Sequence, residues 1–451
     1  MGNIKKHFWP HHHYILGFGI AAITLGGLLG LDSIQTTLGS TIFLTNSSTI
    51  HLTREADLME ESNIVMNTHG ESVMVWQEKN ETDYDVFALT VDRSGYPIRP
   101  PFRVNQYAVD DQKFPKVAMD QEGGFVVVWQ SYGQDGSGSG IYGQRFEPDG
   151  QKTGSEFKIH DYLVKNQMNP DVAMAPTGEF AVTWVSEARK DGNRNIYAKL
   201  FDAEGKKRVN EFQVNAIEKG NQTQPAIQIT DKKEVMVVWQ HEGVDNLEIR
   251  GRVFDWTGTG LSATDTLLSA TSEGIRTNPR IAPTSNNRFL VVWEEYSEDK
   301  SYKGITFQFE SIKGKMVSNL GAPTGAELTI ADPVPPHREN PDIATNGKEA
   351  VVVWQTLNEK DQESWKVEAQ KLDANGVRLD DPFQVNAPSF SFQWMPSVAI
   401  NPSGDMAVAW NDYDSEKKEA NLHFKWYTNK AEEVSTTPFS LSTLHEKMTW
   451  R

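Results

Sequence analysis

The sequence predicts an all-β protein whose main domain is a seven-bladed β-propeller of four-stranded antiparallel blades. A tryptophan closes a short apolar run at seven places, 53 to 61 residues apart. A proline precedes six of these tryptophans by 13 or 14 residues, and each unit contains four short strand candidates. Repetition at this period with four strands per unit is typical of propellers. The seven residues are Trp76, Trp129, Trp184, Trp239, Trp293, Trp354 and Trp410.

The first two strand candidates of each unit lie between the proline and the tryptophan. KVAM at 116–119 represents the first strand, and a proline is tolerated before it because the start of a strand need not donate to the ladder. The second strand is an apolar run such as FVVVW at 125–129 or AVVVW at 350–354. Continuous apolar composition predicts burial on both faces. The tryptophans are therefore expected to pack between neighbouring blades.

The third and fourth strand candidates complete each unit. IYGQRF at 141–146 alternates as a strand should, and the turn EPDG at 147–150 follows it. FRVN at 102–105 represents the short fourth strand. Further copies of the fourth strand stand near both ends of the chain, TIHLT at 49–53 and FSLS at 439–442. We expect one of them to complete a blade begun at the opposite end, which would close the ring.

The segment 14–31, YILGFGIAAITLGGLLGL, is predicted to be a transmembrane helix. It has 18 residues and no charge, and as a helix it spans about 27 Å, close to the hydrocarbon core of a bilayer. A cleaved signal peptide is the alternative, but the run is long for one and no small-x-small site follows it. Small residues spaced by four predict a face that packs on another helix. These residues are Ala22, Gly26 and Gly30.

The charges around this segment predict the location of the chain. Lys5 and Lys6 precede the segment and Asp32 follows it, so the positive-inside rule places the N-terminus in the cytoplasm. We therefore expect a single-pass protein of the bacterial inner membrane with its propeller in the periplasm. The expected division is a cytoplasmic tail 1–13, the helix 14–31, a linker 32–48, the propeller 49–443 and a C-terminal tail 444–451.

Composition and motifs exclude several classes of function. The net charge is −17, from 61 acidic and 44 basic residues, which argues against binding of a nucleic-acid backbone. The absence of cysteine excludes disulfides, thiolate metal sites and thiol catalysis. The sequence contains no H-E-x-x-H, G-x-S-x-G, Walker or Rossmann pattern. No catalytic, cofactor-binding or metal-ligating residue is therefore predicted, and no cofactor.

The repeat consensus, P-x-V-A-M-D…F-V-V-V-W-Q…I-Y-x-Q-x-F-D-x-x-G…F-x-V-N, resembles a repeat of large bacterial surface and secreted proteins. The resemblance covers residues 49–442. It implies a propeller of a bacterial extracytoplasmic repeat family and says little about function. Some members of that family carry calcium-binding tracts, but GQDGSGSG at 133–140 lacks the spaced carboxylates of a calcium loop.

The residue that follows each repeated tryptophan is polar in six of the seven units. Two interpretations remain open. These side chains cap backbone groups in the same way in every blade, or they form a rim that docks another protein or a glycan, together with the acidic loops that follow them. The six candidate residues are Gln77, Gln130, Gln240, Glu294, Gln355 and Asn411.

Two functional hypotheses follow. The main one is a non-catalytic scaffold or accessory subunit of a membrane protein complex, with a protein partner on the extracytoplasmic side. This main hypothesis predicts that the chain is not an enzyme, because an active site usually makes one repeat differ from the others. The alternative is an envelope propeller that binds or processes glycans. For this second hypothesis the place to examine is the irregular unit 294–341, which contains His337.

Overall fold

In its described residues, the computed structural model of the chain contains seven antiparallel blades, six with four strands and one with five. It describes residues 41–44, 49–55, 59–80, 82–187, 189, 192–243, 246–262, 264–269, 275–285, 287–302, 305–332, 337–358, 364–386, 392–414 and 419–429. The predicted transmembrane segment 14–31 with its helix-packing face, and the strand copy at 439–442, lie outside these residues. Among the described residues no helix has the length and apolar character needed to cross a membrane.

The first four blades follow one another along the chain, each built from the centre outwards. Blade 1 contains β3 (Met59–Met66), β4 (Ser72–Lys79), β5 (Tyr84–Val91) and β6 (Phe102–Arg103). Blade 2 contains β7 (Gln112–Met119), β8 (Phe125–Tyr132), β9 (Ser139–Phe146) and β10 (Lys152–Lys158). Blade 3 contains β11 (Gln167–Met174), β12 (Phe180–Glu187), β13 (Arg194–Phe201) and β14 (Lys207–Gln213). Blade 4 contains β15 (Gln222–Ile229), β16 (Val235–Glu242), β17 (Leu247–Phe254) and β18 (Thr266–Leu267).

The last three blades include the most irregular unit and the ring closure. Blade 5 contains β19 (Ile275–Thr284), β20 (Arg288–Tyr302), β21 (Ile305–Ser318) and β22 (Pro323–Ala331). Blade 6 contains β23 (Arg338–Thr345), β24 (Glu349–Leu357), β25 (Trp365–Asp373) and β26 (Phe383–Gln384). Blade 7 contains β27 (Phe392–Ile400), β28 (Met406–Asp414), β29 (Glu419–Tyr427), β2 (Thr49–Glu55) and β1 (Thr41–Leu44).

Blade 7 joins the two ends of the propeller. Its three inner strands come from the C-terminal part of the chain, and β2 from the N-terminal part pairs antiparallel with β29 from Thr49↔Lys425 to Glu55↔Glu419. The prediction that a terminal strand copy completes the opposite blade is confirmed for TIHLT. Beyond β2, β1 adds a fifth strand, and it lies within the stretch 32–48 that was predicted as a linker.

The repeated tryptophans form the core between the blades, as predicted. All seven are at most 2% exposed. Trp239 of blade 4, for example, packs with Val185, Ile196 and Ala198 of blade 3. Burying an aromatic ring of this size removes a large apolar area from water. Each tryptophan therefore stabilises a junction between two blades as well as its own sheet.

Every innermost strand contains a β-bulge directly before the residue that is proline in six blades. The bulged residue adopts a left-handed backbone conformation, with φ between 50° and 55°. Such values are uncommon for residues other than glycine, and a bulge redirects the local backbone groups. The seven residues are Glu61, Phe114, Asn169, Gln224, Asn278, Asn340 and Met395. Here the bulges lie on the face of the ring where innermost strands begin and second strands end, which we call the upper face.

Candidate functional site

The six polar residues that follow repeated tryptophans lie on the upper face, and several of them bond the next blade. Gln77 Oε1 accepts a hydrogen bond of 2.8 Å from the bulged backbone N–H of Phe114. Gln355 Oε1 accepts the corresponding bond of 2.9 Å from Met395. Gln130 makes a longer contact of 3.3 Å with the N–H of Asn169. These contacts satisfy buried backbone donors that the bulge removes from the strand ladder.

Two of the six residues depart from this arrangement. Gln240 Oε1 has no partner among the described residues, and Gln224 Oε1 accepts the bulged N–H of Asn278 at 2.8 Å in its place. Asn411 is fully buried, and neither side-chain polar atom has a partner within the described part of the chain. A docking rim formed by the six residues stays a prediction.

Glu294 is the acidic member of this set, and its surroundings differ from those of the glutamines. It is fully buried. Its Oε1 accepts hydrogen bonds from Asn278 Nδ2 at 2.9 Å and from the bulged N–H of Asn340 at 2.6 Å. The hydroxyl group of Tyr296 lies 3.4 Å from Oε2. A carboxyl group thus replaces the amide at the junction of blades 5 and 6.

Glu310 lies beside it on β21, directly across from Tyr296. Its side chain is only 4% exposed. Burial raises the pKa of Glu310 from 4.5 to about 9, and the negative charge of Glu294 adds to that rise. His337 Nδ1 is 3.3 Å from Oε1, and the backbone N–H of Arg338 and the carboxyl group of Glu339 also bond the Glu310 carboxyl group.

Glu339, at the start of β23, faces Glu310 across the junction between the blades. The two carboxyl groups are hydrogen-bonded to each other, which requires a proton on one of them. Burial, and then the charge of Glu310, raise the pKa of Glu339 well above its ordinary value. Gln355 Nε2 donates to Glu339 Oε2 at 3.3 Å. Burial and mutual repulsion therefore favour the protonated forms of both groups.

We call Glu294, Tyr296, Glu310, His337 and Glu339 the carboxyl cluster. It lies at the base of the longest hairpin of the propeller, since β20 and β21 have 15 and 14 residues where the corresponding strands of blade 2 have 8. Tyr296, His337 and Glu339 are partly exposed, while Glu294 and Glu310 are buried behind them. Across the described ranges, no group of three or more histidine or acidic side chains is placed to hold a metal ion.

The evenness of the repeats, on which the non-catalytic prediction rested, does not hold in blades 5 and 6. In blades 2 to 4 a glutamine at the start of the innermost strand accepts the indole N–H of the repeated tryptophan, as in the 3.1 Å bond between Trp129 and Gln112. Blade 5 has Arg276 in this position, 2% exposed and paired with Glu295 at 2.9 Å. Blade 6 has Arg338. Sequence reasoning missed this change, although aligning the residues before the proline would have revealed it.

The central channel is a second polar region. It has a volume of about 380 Å³ and is lined by the innermost strands. Two of its carboxylates bond neighbouring blades: Asp171 Oδ2 accepts the N–H of Ile227 at 2.9 Å, and Asp342 Oδ2 accepts that of Val398 at 3.0 Å. Burial raises the pKa of Asp171. These contacts give the channel carboxylates a role in holding the ring together.

Comparison with known proteins supports the fold. No protein-family model matches the chain, and no curated protein sequence matches it. The polysaccharide lyase Uly1 superposes with a TM-score of 0.53 at 10% identity, covering 81% of this chain and 89% of that one. A protein of unknown function from Dyadobacter fermentans gives 0.48 at 9%, covering 85% and 97%. The GH93 α-L-arabinofuranosidase of Fusarium graminearum gives 0.47 at 13%, covering 69% and 92%. At these identities the likeness shows the fold alone.

The prediction that the chain is not an enzyme is wrong. Its propeller fold is also that of a polysaccharide lyase, so the fold gives no ground for excluding catalysis. The repeats differ in blades 5 and 6. These blades bring together three carboxyl groups, two of them with strongly raised pKa values. The scaffold hypothesis rested on the same evenness and loses that support.

Proposed function

We propose that the chain is a glycan-processing enzyme with its active site at the carboxyl cluster. The observation that carries the proposal is the pair Glu310 and Glu339, two adjacent carboxyl groups with raised pKa values beside a tyrosine and a third carboxyl group. Strongly perturbed pKa values concentrate at functional sites. The likeness in fold to a polysaccharide lyase favours a carbohydrate as the substrate.

The raised pKa of Glu339 suits the general-acid step of glycoside cleavage. Glu339 is the partly exposed member of the pair, and Glu310 lies buried behind it. Glu339 would therefore give its proton to the leaving glycosidic oxygen, and Glu310 would help to keep that proton in place at neutral pH. The two groups are too close together to act as the acid and nucleophile of a usual retaining pair, which stand about 5 Å apart.

Tyr296 and Glu294 suit the roles of the nucleophile and the base that activates it. The Tyr296 hydroxyl lies 3.4 Å from Glu294 Oε2, and a tyrosine nucleophile is a known exception among glycoside hydrolases. Glu294 would take the hydroxyl proton as Tyr296 attacks the sugar. Asn278 and the backbone of Asn340 hold its other oxygen in place, as a positioned base requires.

We also propose that the enzyme acts in the bacterial envelope, anchored by segment 14–31. The support is the uncharged run of 18 residues and the lysines that precede it. Fusions of a reporter that is active only outside the cytoplasm, placed after residue 429, test this orientation. An inactive fusion, with a cytoplasmic reporter active at the same position, would contradict it.

The test of the activity is turnover of a panel of neutral, acidic and amino polysaccharides, followed by the appearance of reducing ends. We expect Tyr296→Phe and Glu339→Gln to lower kcat by about 100-fold or more, since each removes an acid–base or nucleophilic group. Glu122→Gln is the matched control, because Glu122 is an exposed residue of the turn between β7 and β8 on the opposite face.

The proposal fails if the purified chain cleaves nothing on the panel. It also fails if Tyr296→Phe and Glu339→Gln both cleave a substrate at the rate of the unaltered protein. Binding without cleavage, lost in Glu339→Gln, would leave a carbohydrate-binding propeller and would remove the enzymatic assignment.

A further inference from the structure

We propose that the central channel binds an organic anion with an apolar chain, of the class of a medium-chain carboxylate. The channel has a volume of about 380 Å³, which lies within the range of small-molecule sites. Its lining comes from the innermost strands and includes no residue of the carboxyl cluster. The inference therefore goes beyond the proposed glycan processing and does not depend on it.

The residue after the one that is proline in six blades joins neighbouring blades at four places around the ring. Asn63 Oδ1 accepts the backbone N–H of Val117 at 3.1 Å. Asp171 and Asp342 make the bonds given above, and Ser397 makes the fourth. These side chains supply acceptors to N–H groups that the strand ladder does not satisfy.

Blades 2 and 5 have basic side chains at this position, and such side chains cannot accept a hydrogen bond. Among the residues that the structure describes, Lys116 Nζ makes no hydrogen bond and no ion pair. Arg280 Nη1 donates to the adjacent carbonyl of Pro279 at 2.9 Å, and its guanidinium forms no ion pair within the described ranges. Both side chains line the channel. They therefore direct into it N–H donors that still lack acceptors.

The backbone adds two donors beside Arg280. The N–H groups of Ile281 and Ile343 correspond to the N–H of Val117 that Asn63 satisfies. The preceding blades offer them Ala226 and Arg280, and neither side chain contains an acceptor. No other side chain of the described residues bonds these two N–H groups. The positions after the prolines therefore supply fewer acceptors than the neighbouring donors can use.

The two channel carboxylates do not remove this imbalance. Asp342 Oδ2 already accepts the Ser397 hydroxyl at 2.8 Å as well as a backbone N–H. Asp171 accepts backbone N–H groups, and the positive charges of Lys116 and Arg280 act on it without forming an ion pair. A carboxylate ligand supplies two oxygens that can accept from a lysine and an arginine together. An anion thus fits the donors that face the channel.

The end of the channel away from the upper face is apolar. Met119 and Met174 line it three residues further along their strands than Lys116 and Asp171, and Ile229 lines the same level. Three residues of strand span about 10 Å, enough for an extended chain of about eight carbon atoms. Methionine side chains adapt to the shape of apolar groups. An anionic head at the basic residues therefore places an apolar chain among the methionines.

Calorimetry with octanoate, hexanoate, 1-octanol and octyltrimethylammonium tests the inference. We expect octanoate to bind with one molecule per chain. Hexanoate should bind more weakly by about fourfold for each missing methylene group. The alcohol keeps the chain without the charge, and the ammonium compound reverses the charge. Both should bind at least about tenfold more weakly than octanoate.

Two variants separate the channel from adventitious binding of an amphiphile to the surface. Lys116→Gln and Arg280→Asn should each weaken octanoate binding by at least about tenfold. Arg280→Asn should keep its melting temperature, because asparagine can accept the N–H of Ile343 as Asn63 accepts that of Val117. Lys206→Gln makes the same change of net charge at an exposed turn between β13 and β14 and should bind octanoate unchanged.

Three outcomes would overturn the inference. They are no binding of octanoate, binding of 1-octanol as tight as that of octanoate, and octanoate binding that is unchanged in Lys116→Gln. The last comparison decides even if Arg280→Asn folds poorly, because Lys116 makes no bond whose loss could unfold the chain. None of these outcomes bears on cleavage of polysaccharides, so the failure of one proposal leaves the other standing.

Discussion

Replacing Glu310 by glutamine should remove the part of the pH dependence of stability that Glu310 contributes. Glu310 binds its proton more tightly in the folded chain, where its pKa is about 9, than in the unfolded chain, where it is 4.5. Below 4.5 both states are protonated, and the contribution to stability is fully present. Between the two values the unfolded chain loses the proton first, so stability falls as pH rises, and above about 9 the contribution is gone.

The structure sets the size of this effect. Each pH unit between 4.5 and about 9 lowers the free energy of unfolding by about 1.4 kcal/mol. The largest possible loss over this range is therefore about 6 kcal/mol. Relaxation and entry of water reduce the cost of burying a charge. We therefore expect a measured difference on the order of 3 kcal/mol across this range.

Urea denaturation at a series of pH values from about 5 to 9 measures the difference. The unaltered protein should lose stability as pH rises. Glu310→Gln should give a flatter profile and be the more stable protein at about pH 9, because its amide N–H can donate to an ionised Glu339. Glu122→Gln, an exposed site on the opposite face, should follow the unaltered profile. Parallel profiles for Glu310→Gln and the unaltered protein would refute the raised pKa of Glu310.

Three further predictions concern the propeller itself. Trp239→Ala should lower the free energy of unfolding by about 3 to 5 kcal/mol, because it leaves a cavity between blades 3 and 4. A loss below about 1 kcal/mol would contradict the place of Trp239 in the core. His160→Asn should lower the melting temperature less than His160→Ala, because asparagine Oδ1 can accept the N–H of Ile141 as His160 Nδ1 does at 2.9 Å and as Asn105 Oδ1 does for Val86 in blade 1. Both variants lose the 2.8 Å contact of His160 Nε2 with Asp135, and equal melting temperatures for the two would count against this. Removing residues 1–57 should destabilise the propeller far more than removing residues 1–40, because only the longer deletion takes away β2. Equal unfolding curves for the two truncated proteins would argue against ring closure through that strand.

The local pattern was sufficient to predict the fold because each blade repeats the same short-range signals. An apolar run ending in tryptophan predicts a strand covered on both faces, and all seven tryptophans are buried between blades. The terminal copy TIHLT predicted closure, and β2 pairs with β29. The contacts of the residues after the tryptophans could not be predicted from the sequence, because Gln77 bonds a bulge in the next blade. The bulged residue Phe114 has a left-handed φ, and it is not a glycine whose presence would have predicted that conformation.

By itself the sequence determined the strands, their order, the number of blades and the buried indoles, since these depend on residue alternation and on a period repeated along the chain. Only the tertiary structure decided that Glu294, Glu310 and Glu339 meet. They belong to three strands in two blades, and their raised pKa values arise from burial and mutual charge at that junction. Desolvation depends on what surrounds a group in space, which a linear pattern of residues does not specify.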